Sequence, residues 1–371
     1  MFACAVPTGG AFDLVGLTPW RSNARRRADI NSSFAADTMT SRSYDVLAIG
    51  NAIVDIIART DDDFLAAQAL NKGSMALIDE PRAEHLYGLM GSTTIVSGGS
   101  AANTAVGLAG FGMKTAFIGK VKADPAGHAY AHDLRATGVH FDTRHADEGP
   151  ATARCYVLVT PDGERTMNTY LGACQNLSVA DLDEAAIASS SILYLEGYLW
   201  DPAAAKEAFV RAAEISHKAG NRVALTLSDS FCVDRYRDEF LNLLRNGTVD
   251  ILFANEHELK SLYQTADFAS ALSALKQEKI LGVVTCSENG SIVVSGDTFI
   301  RTPAQPIDKL VDTTGAGDLF AAGFLAGLCQ NSDYGHCATL GALAAAEIIQ
   351  HYGARPETNL RELANSSGIK I

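Results

Sequence analysis

Short apolar runs alternate with helical patterns along most of this chain. The apolar runs cover 46–50, 116–119, 192–197, 223–227, 251–254 and 283–285. Between them, Ala and Leu recur at three- to four-residue spacing over 103–111, 203–219, 238–245 and 269–278. Strands that are apolar on both faces are typical of parallel sheets covered by helices. The pattern therefore predicts an α/β protein with a mostly parallel central sheet between helical layers.

A second set of segments alternates polar and apolar residues instead. These segments are 53–60, 74–79, 94–97, 152–160 and 165–170. Alternation is typical of strands with one face exposed. They predict a smaller sheet separate from the central one.

Composition fits one large globular domain and excludes several classes of partner. The chain has 371 residues, of which 47% are hydrophobic and 20% charged, so it can bury a large core. Its net charge of -13 argues against nucleic acid or an anionic membrane as the main partner. No stretch approaches the 18 or more uninterrupted apolar residues of a membrane span. We therefore expect a small-molecule ligand.

The cysteines and the N-terminal segment bear on localisation and domain boundaries. Seven cysteines are scattered without a C-x-x-C pair, which argues against a zinc site or disulfide framework and favours a reducing cytoplasm. Residues 1–40 are rich in Gly, Ser, Pro and Thr without hydrophobic periodicity, so we expect a disordered extension. Met39 is a candidate true start. The folded domain is expected to span 41–371.

One run carries the strongest chemical signal. The stretch from Asp312 to Asp318 reads D-T-T-G-A-G-D and leads into small and apolar residues. The amides of Gly315, Ala316 and Gly317 are left uncovered at a helix start, where anions bind. Asp318 lies at the mouth of this turn, so its carboxylate can accept a proton from an alcohol while the amides receive a phosphoryl group. The alternative is an ordinary helix capped by threonine with a tight glycine turn.

Two upstream runs place polar side chains beside glycine. Residues 98–103 read G-G-S-A-A-N, where paired glycines permit close approach of a ligand and Asn103 can donate to and accept from a hydroxyl. Residues 50–55 read G-N-A-I-V-D, and the Asp55 carboxylate suits two adjacent alcohols. The alternatives are a tightly packed glycine-rich helix and an Asp55 that points to solvent.

These runs, in this order over residues 43–360, resemble the PfkB, or ribokinase-like, family of carbohydrate and nucleoside kinases. The resemblance implies a three-layer α/β/α fold with a small β-sheet lid drawn from segments within about 51–62, 72–80, 93–98 and 151–171. It implies that Asp318 is the catalytic base and that the anion hole is formed by Gly315, Ala316 and Gly317. The implied substrate-binding residues are Asn51, Asp55, Gly98, Gly99 and Asn103.

Further motifs resemble the nucleotide site of the same family. Residues 255–258 read N-E-H-E, and the resemblance implies that Asn255 and Glu258 bind Mg²⁺ through water and organise the ATP phosphates. Their spacing is also that of a helix capping box, and His257 is expected to be solvated. The implied ATP-binding turn contains Thr285 and Gly290. The resemblance also implies a candidate K⁺ site near the strand before Asp312, and an adenine site closed by 341–350 and 351–354.

Other nucleotide motifs are absent from the sequence. The stretch 114–121 contains G-K but lacks the first glycine and the final Ser or Thr of a P-loop. No G-x-G-x-x-G follows the first strand, which argues against a dinucleotide dehydrogenase.

The finer resemblance is to the adenosine kinases. Residues 227–231 read L-S-D-S-F and match the adenosine-kinase pattern L-S-x-x-F rather than the D-x-N-x-R of many sugar kinases. We therefore expect ATP-dependent phosphorylation of the adenosine 5′-hydroxyl, by a monomer or homodimer. The alternatives are a ribokinase- or fructokinase-like sugar kinase and a non-catalytic nucleoside sensor. Candidate walls for a purine base, or else ordinary packing residues, are Ile53, Tyr170, Tyr198 and Leu199.

Overall fold

The protein was analysed as a computed structural model that describes residues 42–371, so the expectations for residues 1–40 lie outside the described residues. The strands are β1 (Tyr44–Ile49), β2 (Ile53–Arg59), β3 (Met75–Leu77), β4 (Thr93–Gly98), β5 (Thr115–Ile118), β6 (Ala153–Val159), β7 (Arg165–Tyr170), β8 (Ser190–Glu196), β9 (Arg222–Thr226), β10 (Ile251–Asn255), β11 (Leu281–Thr285), β12 (Ser291–Ser295) and β13 (Thr298–Thr302). The helices are α1 (Asp62–Ala67), α2 (Glu80–Leu89), α3 (Ser100–Gly110), α4 (Pro125–Ala136), α5 (Glu184–Ala188), α6 (Ala203–Lys218), α7 (Ser230–Arg245), α8 (Glu256–Leu262), α9 (Phe268–Gln277), α10 (Ala316–Cys329), α11 (Tyr334–Ile348) and α12 (Leu360–Ser366).

Eight strands form the central sheet in the order β13-β12-β11-β10-β9-β8-β1-β5. The pairs from β5 to β11 are parallel, and β12 and β13 add an antiparallel edge. The apolar run of β1 is buried on both faces because helices cover the sheet on either side. The predicted α/β class with a mostly parallel sheet is confirmed.

Each face of the central sheet has its own hydrophobic core. One core joins side chains of α3, α10 and α11 to the sheet, and α10 is buried almost all round. The other core joins α6, α7, α8 and α9 to the opposite face. These two helical layers complete the predicted three-layer arrangement, with α10 and α3 in direct contact.

Five strands form the second sheet in the order β3-β7-β6-β2-β4. Asp55 on β2 lies opposite Cys155 on β6, which in turn lies opposite Thr169 on β7. Because successive side chains alternate between faces, these three residues share one face. The predicted small β-sheet is confirmed, and we call it the lid sheet.

No helix between residues 42 and 371 has both the length and the apolarity that crossing a bilayer requires. The cysteines at positions 155, 174, 232, 286, 329 and 337 are unpaired.

Candidate active site

The glycine turn before α10 presents free backbone amides. Gly315 has a left-handed φ of 79°, and a Cβ there would lie 2.8 Å from the Cβ of Ala354, so the turn requires glycine. The amides of Gly317 and Asp318 belong to the first helical turn, which has no earlier carbonyl to bond. The amide of Ala316 lies 3.2 Å from the Thr313 carbonyl and is already engaged. The turn can therefore receive an anion mainly through the amides that follow Ala316.

Asp318 lies on the first turn of α10 and faces α3. Its two oxygens accept hydrogen bonds from the Ser100 hydroxyl at 2.6 Å and from Asn103 Nδ2 at 3.0 Å. Burial raises the pKa of Asp318, while these two donors and the positive charge of Arg355 hold the pKa down. A carboxylate with a raised pKa in this position is suited to accept a proton.

Asp55 lies on the inner face of the lid sheet, next to the start of α3. A Cβ on Gly98 would lie 2.3 Å from Asp55 Oδ2, so the glycine makes room for this carboxylate. Burial raises the pKa of Asp55 to about 6, opposed by the positive charges of Arg355 and Arg165, and the charge of Asp318 raises it further. Asp55 is therefore directed into the site rather than to solvent.

Glu196 at the end of β8 holds Asn51 and the start of α3 together. Its Oε1 accepts hydrogen bonds from Asn51 Nδ2 at 2.8 Å and from the Asn51 amide at 3.2 Å, and its Oε2 accepts from the Ala101 amide at 2.8 Å. Burial raises the pKa of Glu196 to about 7 against the effect of these donors. The sequence analysis missed this residue, although an acidic residue ending an otherwise apolar strand was a usable signal.

Two buried amide oxygens in this site have no protein partner. Asn51 and Asn103 are 2% and 6% exposed, and the Oδ1 of each lacks a hydrogen bond. Buried polar atoms are normally paired, so these two are candidates for contact with a ligand. Gly99, with φ of 96°, lies between them, and a Cβ there would lie 2.1 Å from the Asn51 carbonyl oxygen. The predicted substrate-binding residues are thus brought together around one cavity wall.

The lid sheet contributes a cation that the sequence analysis did not identify. Arg165 Nη1 lies 2.7 Å from Asp312 Oδ2 and donates to the Thr314 hydroxyl at 2.8 Å. The Asp312 carboxylate also accepts from the amides of Thr314 and Gly353, each at 3.0 Å. Asp312 is therefore already neutralised by a guanidinium, an arrangement that does not fit a K⁺ ion at this carboxylate. The sequence signal was a basic residue directly after the turn P-D-G-E.

Asn255 and Glu258 form a reciprocal capping box at the start of α8. The Asn255 side chain accepts from the Glu258 amide, while Glu258 Oε2 accepts from the Asn255 amide at 3.0 Å. Burial raises the pKa of Glu258 to about 7, and the charges of Asp229 and Asp318 raise it further, so these carboxylates share one region. The carboxylate retains lone pairs that fit water bound to a metal ion. The predicted exposure of His257 is confirmed.

The predicted ATP-binding turn lies beside this box. Thr285 ends β11 opposite Asn255 of β10. Gly290 has a φ of 82°, and a Cβ there would lie 2.0 Å from the Thr302 carbonyl oxygen. A cavity of about 500 Å³ adjoins the turn and is lined partly by Cys286 and Asn289. Among residues 42–371, no three acidic, His or Cys side chains are grouped to ligate a metal directly.

Two of the four candidate walls for a base do not face the site. Leu199 is fully buried in the core beneath α6 and α7. Tyr170 follows Thr169 and pairs with Arg154, so strand alternation places it on the lid face away from Asp55. Those two predictions are wrong. Ile53 and Tyr198 remain candidates, since both are partly exposed.

Known proteins show the same fold and related sequences. A family model for the pfkB family carbohydrate kinases matches residues 45–360. The adenosine kinase of Sinorhizobium meliloti is 52% identical, with a TM-score of 0.83 over 88% of this chain and 99% of that chain. A probable sugar kinase from Rhizobium etli is 50% identical, with a TM-score of 0.84 and the same coverage. The probable chloroplastic fructokinase-6 of Arabidopsis thaliana is 29% identical over 84% of this chain and 76% of its own length. The chain therefore belongs to the pfkB family of carbohydrate kinases and is a phosphotransferase with an alcohol group as acceptor.

Proposed function

We propose that this enzyme uses ATP to phosphorylate the 5′-hydroxyl of adenosine, giving AMP and ADP. The observation that carries the proposal is the pair of buried, unpartnered oxygens on Asn51 and Asn103 beside the carboxylates of Asp55 and Asp318. All four groups accept hydrogen bonds. They suit a ligand that presents several hydroxyl donors, as ribose does.

Neighbouring carboxylates fix the orientation of both amides. Asn51 Nδ2 donates to Glu196, and Asn103 Nδ2 donates to Asp318. A carboxylate accepts but does not donate, so each amide oxygen must be directed away from it. The sugar side of the site is therefore rich in acceptors, which favours an uncharged polyol over a sugar phosphate.

The reaction follows from the positions of Asp318 and the glycine turn. The substrate 5′-oxygen attacks the γ-phosphorus of ATP, a new O–P bond forms, and the bond from that phosphorus to the β,γ-bridging oxygen breaks. Asp318 takes the hydroxyl proton, and ADP leaves with the bridging oxygen. The amides after Ala316 stabilise charge on the transferring group.

Basic and metal-binding groups serve the phosphate side of the site. Arg165 lies beside Thr314, where its guanidinium supplies positive charge next to the turn. Asn255 and Glu258 would hold Mg²⁺ through its waters, and the ion would supply charge neutralisation for the ATP phosphates. Thr285 and Gly290 would line the nucleotide itself. We assign no step to K⁺.

The choice of adenosine is supported by relatives and by one sequence motif. The adenosine kinase of Sinorhizobium meliloti is 52% identical, and L-S-x-x-F is present at 227–231. The similarity to fructokinase-6 favours a sugar kinase as the second candidate. We further propose that the enzyme acts in the cytoplasm, in purine salvage.

A substrate panel tests the proposal. ADP release from ATP and Mg²⁺ is measured with adenosine, inosine, guanosine, cytidine, ribose and fructose, and ³¹P NMR identifies the product. We expect release with adenosine and formation of AMP. Release with ribose or fructose alone would establish the sugar kinase instead, and binding of adenosine without turnover would indicate a sensor.

The variant Asp318→Asn tests the mechanism in the same assay. Asn keeps the size of the side chain but removes the base, so we expect kcat to fall by about 10²-fold or more with adenosine binding retained. Asp147→Asn, at an exposed aspartate, is the control. Near-normal kcat in Asp318→Asn would remove this residue from its role.

A further inference from the structure

A partly buried arginine outside the assigned site holds the segment between the lid sheet and α3. Arg355 follows α11, and its Nε and Nη2 donate to the Ser97 carbonyl at 2.9 and 2.6 Å. Nη2 also donates to Ser97 Oγ at 3.0 Å, and Nη1 donates to the Ala102 carbonyl at 3.1 Å. One guanidinium thus bridges the end of β4 and the first turn of α3.

The bridged segment carries the contacts of both active-site carboxylates. Gly98 makes room for Asp55, and the Ser100 hydroxyl donates to Asp318. Both residues lie between the two anchor points of Arg355. A shift of this segment would therefore move Asp55 and Asp318 relative to each other.

The charge of this arginine is not used up by a direct ion pair. All four hydrogen-bond acceptors are carbonyl or hydroxyl oxygens, and within residues 42–371 no acidic side chain forms an ion pair with it. Burial lowers the pKa of Arg355, and nearby Tyr130, Asp55, Asp133 and Asp318 oppose that effect. The positive charge is thus available to the carboxylates around it.

The site otherwise surrounds Asp318 with groups that disfavour its charge. Besides the neutral donors Ser100 and Asn103, the titratable groups that interact with it are Asp55, Tyr194, Glu196, Tyr198, Glu258 and Arg355. Among these, Arg355 carries the positive charge. Arg165 lies near Asp55 but is paired with Asp312.

We propose that Arg355 is a positioning residue for the kinase reaction, which keeps the carboxylates of Asp55 and Asp318 ionised and in register through its bridge from Ser97 to Ala102. The inference rests on the proposed function, because it assigns Asp318 as the base and Asp55 as a ligand of the substrate hydroxyls. Arg355 touches neither substrate nor phosphate in this role.

The role predicts a specific pH dependence. Asp318 accepts a proton only when ionised, so activity falls at pH values below its pKa. Removal of a nearby positive charge raises the pKa of both carboxylates, which moves this acid limb to higher pH. A merely structural role would lower activity by the same factor at every pH.

The experiment compares pH profiles of kcat/KM for the wild type, Arg355→Gln, Arg355→Lys and the control Arg361→Gln on exposed α12. A shift of one pKa unit corresponds to about a tenfold further loss on the acid limb. We expect Arg355→Gln to lose about tenfold more activity at pH 6 than at pH 8.5. Lys keeps the charge but not the planar fork, so its acid limb should match the wild type with a uniform loss. Arg361→Gln should match the wild type throughout.

Several results would overturn the proposal. A pH-independent loss in Arg355→Gln, or an acid limb in Arg355→Lys that moves as far as in Arg355→Gln, would assign only a structural role. If Arg355→Gln fails to fold, Asp133→Asn is profiled instead, since it removes a negative neighbour of the guanidinium and should move the limb to lower pH. An unmoved limb there would overturn the proposal. Absence of adenosine turnover in the wild type would instead refute the proposed function.

Discussion

The guanidinium of Arg165 on the lid sheet lies 2.7 Å from the carboxylate of Asp312, six residues before Asp318. Both side chains are nearly inaccessible, at 9% and 4% exposure. The pair therefore joins the lid directly to the segment that shapes the anion-binding turn. Thr314 in that segment accepts a second hydrogen bond from the same guanidinium. Closure of the lid and assembly of the phosphate side are consequently one event.

Arg165→Met should lower kcat by about 10²-fold, because it removes positive charge from the side of the turn that receives the phosphoryl group. Steady-state kinetics at saturating adenosine and ATP provide the measurement. Arg59→Met, at an exposed position on the same sheet, is the matched control and should keep full activity. A kcat within twofold of the wild type in Arg165→Met would separate this residue from catalysis.

Glu196→Gln should raise KM for the nucleoside by about tenfold and change kcat less. A glutamine has one acceptor oxygen, so it cannot accept the bonds from Asn51 and from the Ala101 amide together. The Asn51 amide is then free to rotate its oxygen away from the substrate. Isothermal titration with adenosine and steady-state kinetics report the two parameters separately. A drop in kcat at unchanged KM would contradict this account.

The substrate-free protein should lose stability as pH rises from about 4.5 to 7. Burial raises the pKa of Glu196 from 4.5 to about 7, so in this range the folded chain holds a proton that the unfolded chain has released. The contribution is full below the unfolded pKa and is lost as pH rises through the folded pKa, at up to about 1.4 kcal/mol per pH unit. Urea denaturation at several pH values should show a shallower slope in Glu196→Gln than in the control Glu288→Gln. Equal slopes would show that Glu196 ionises normally.

Gly315→Ala should lower the free energy of unfolding by about 1–3 kcal/mol, since Gly315 has a positive φ and its added methyl would meet Ala354. Gly317 offers a matched control two residues away. An added Cβ at Gly317 meets no atom within 4 Å, and its φ is not in the left-handed region. Gly317→Ala should therefore unfold at the wild-type urea concentration. Equal destabilisation of both variants would contradict the assigned turn geometry.

The fold and the shared motifs were predictable because they follow local rules. Buried parallel strands such as β1 read as continuous apolar runs, and the D-T-T-G-A-G-D turn requires its residues in consecutive order. The hairpin of β12 and β13 was harder to identify, because exposed positions such as Phe299 interrupt the polar pattern. Ser230 begins α7 eight residues before the predicted helix, where capping by Asp229 extends it.

The supporting residues could not be predicted, because their roles depend on contacts between distant segments. Glu196 meets Asn51 across 145 positions, Arg165 meets Thr314 across 149, and Arg355 meets Ser97 across 258. A single sequence carries no spacing rule for such pairs. Tyr170 illustrates the converse error, since an aromatic residue of the right type was chosen without knowing which face of β7 it occupies.

The lid sheet draws its strands from residues 53 to 170, and the same stretch of chain supplies α3 and β5 to the central layers. Its parallel pair, β2 with β6, joins segments about a hundred positions apart. The lid is thus not a module that could be excised or exchanged between enzymes by cutting at two sites. Any transplant of substrate preference by lid grafting would have to carry the first third of the catalytic domain with it.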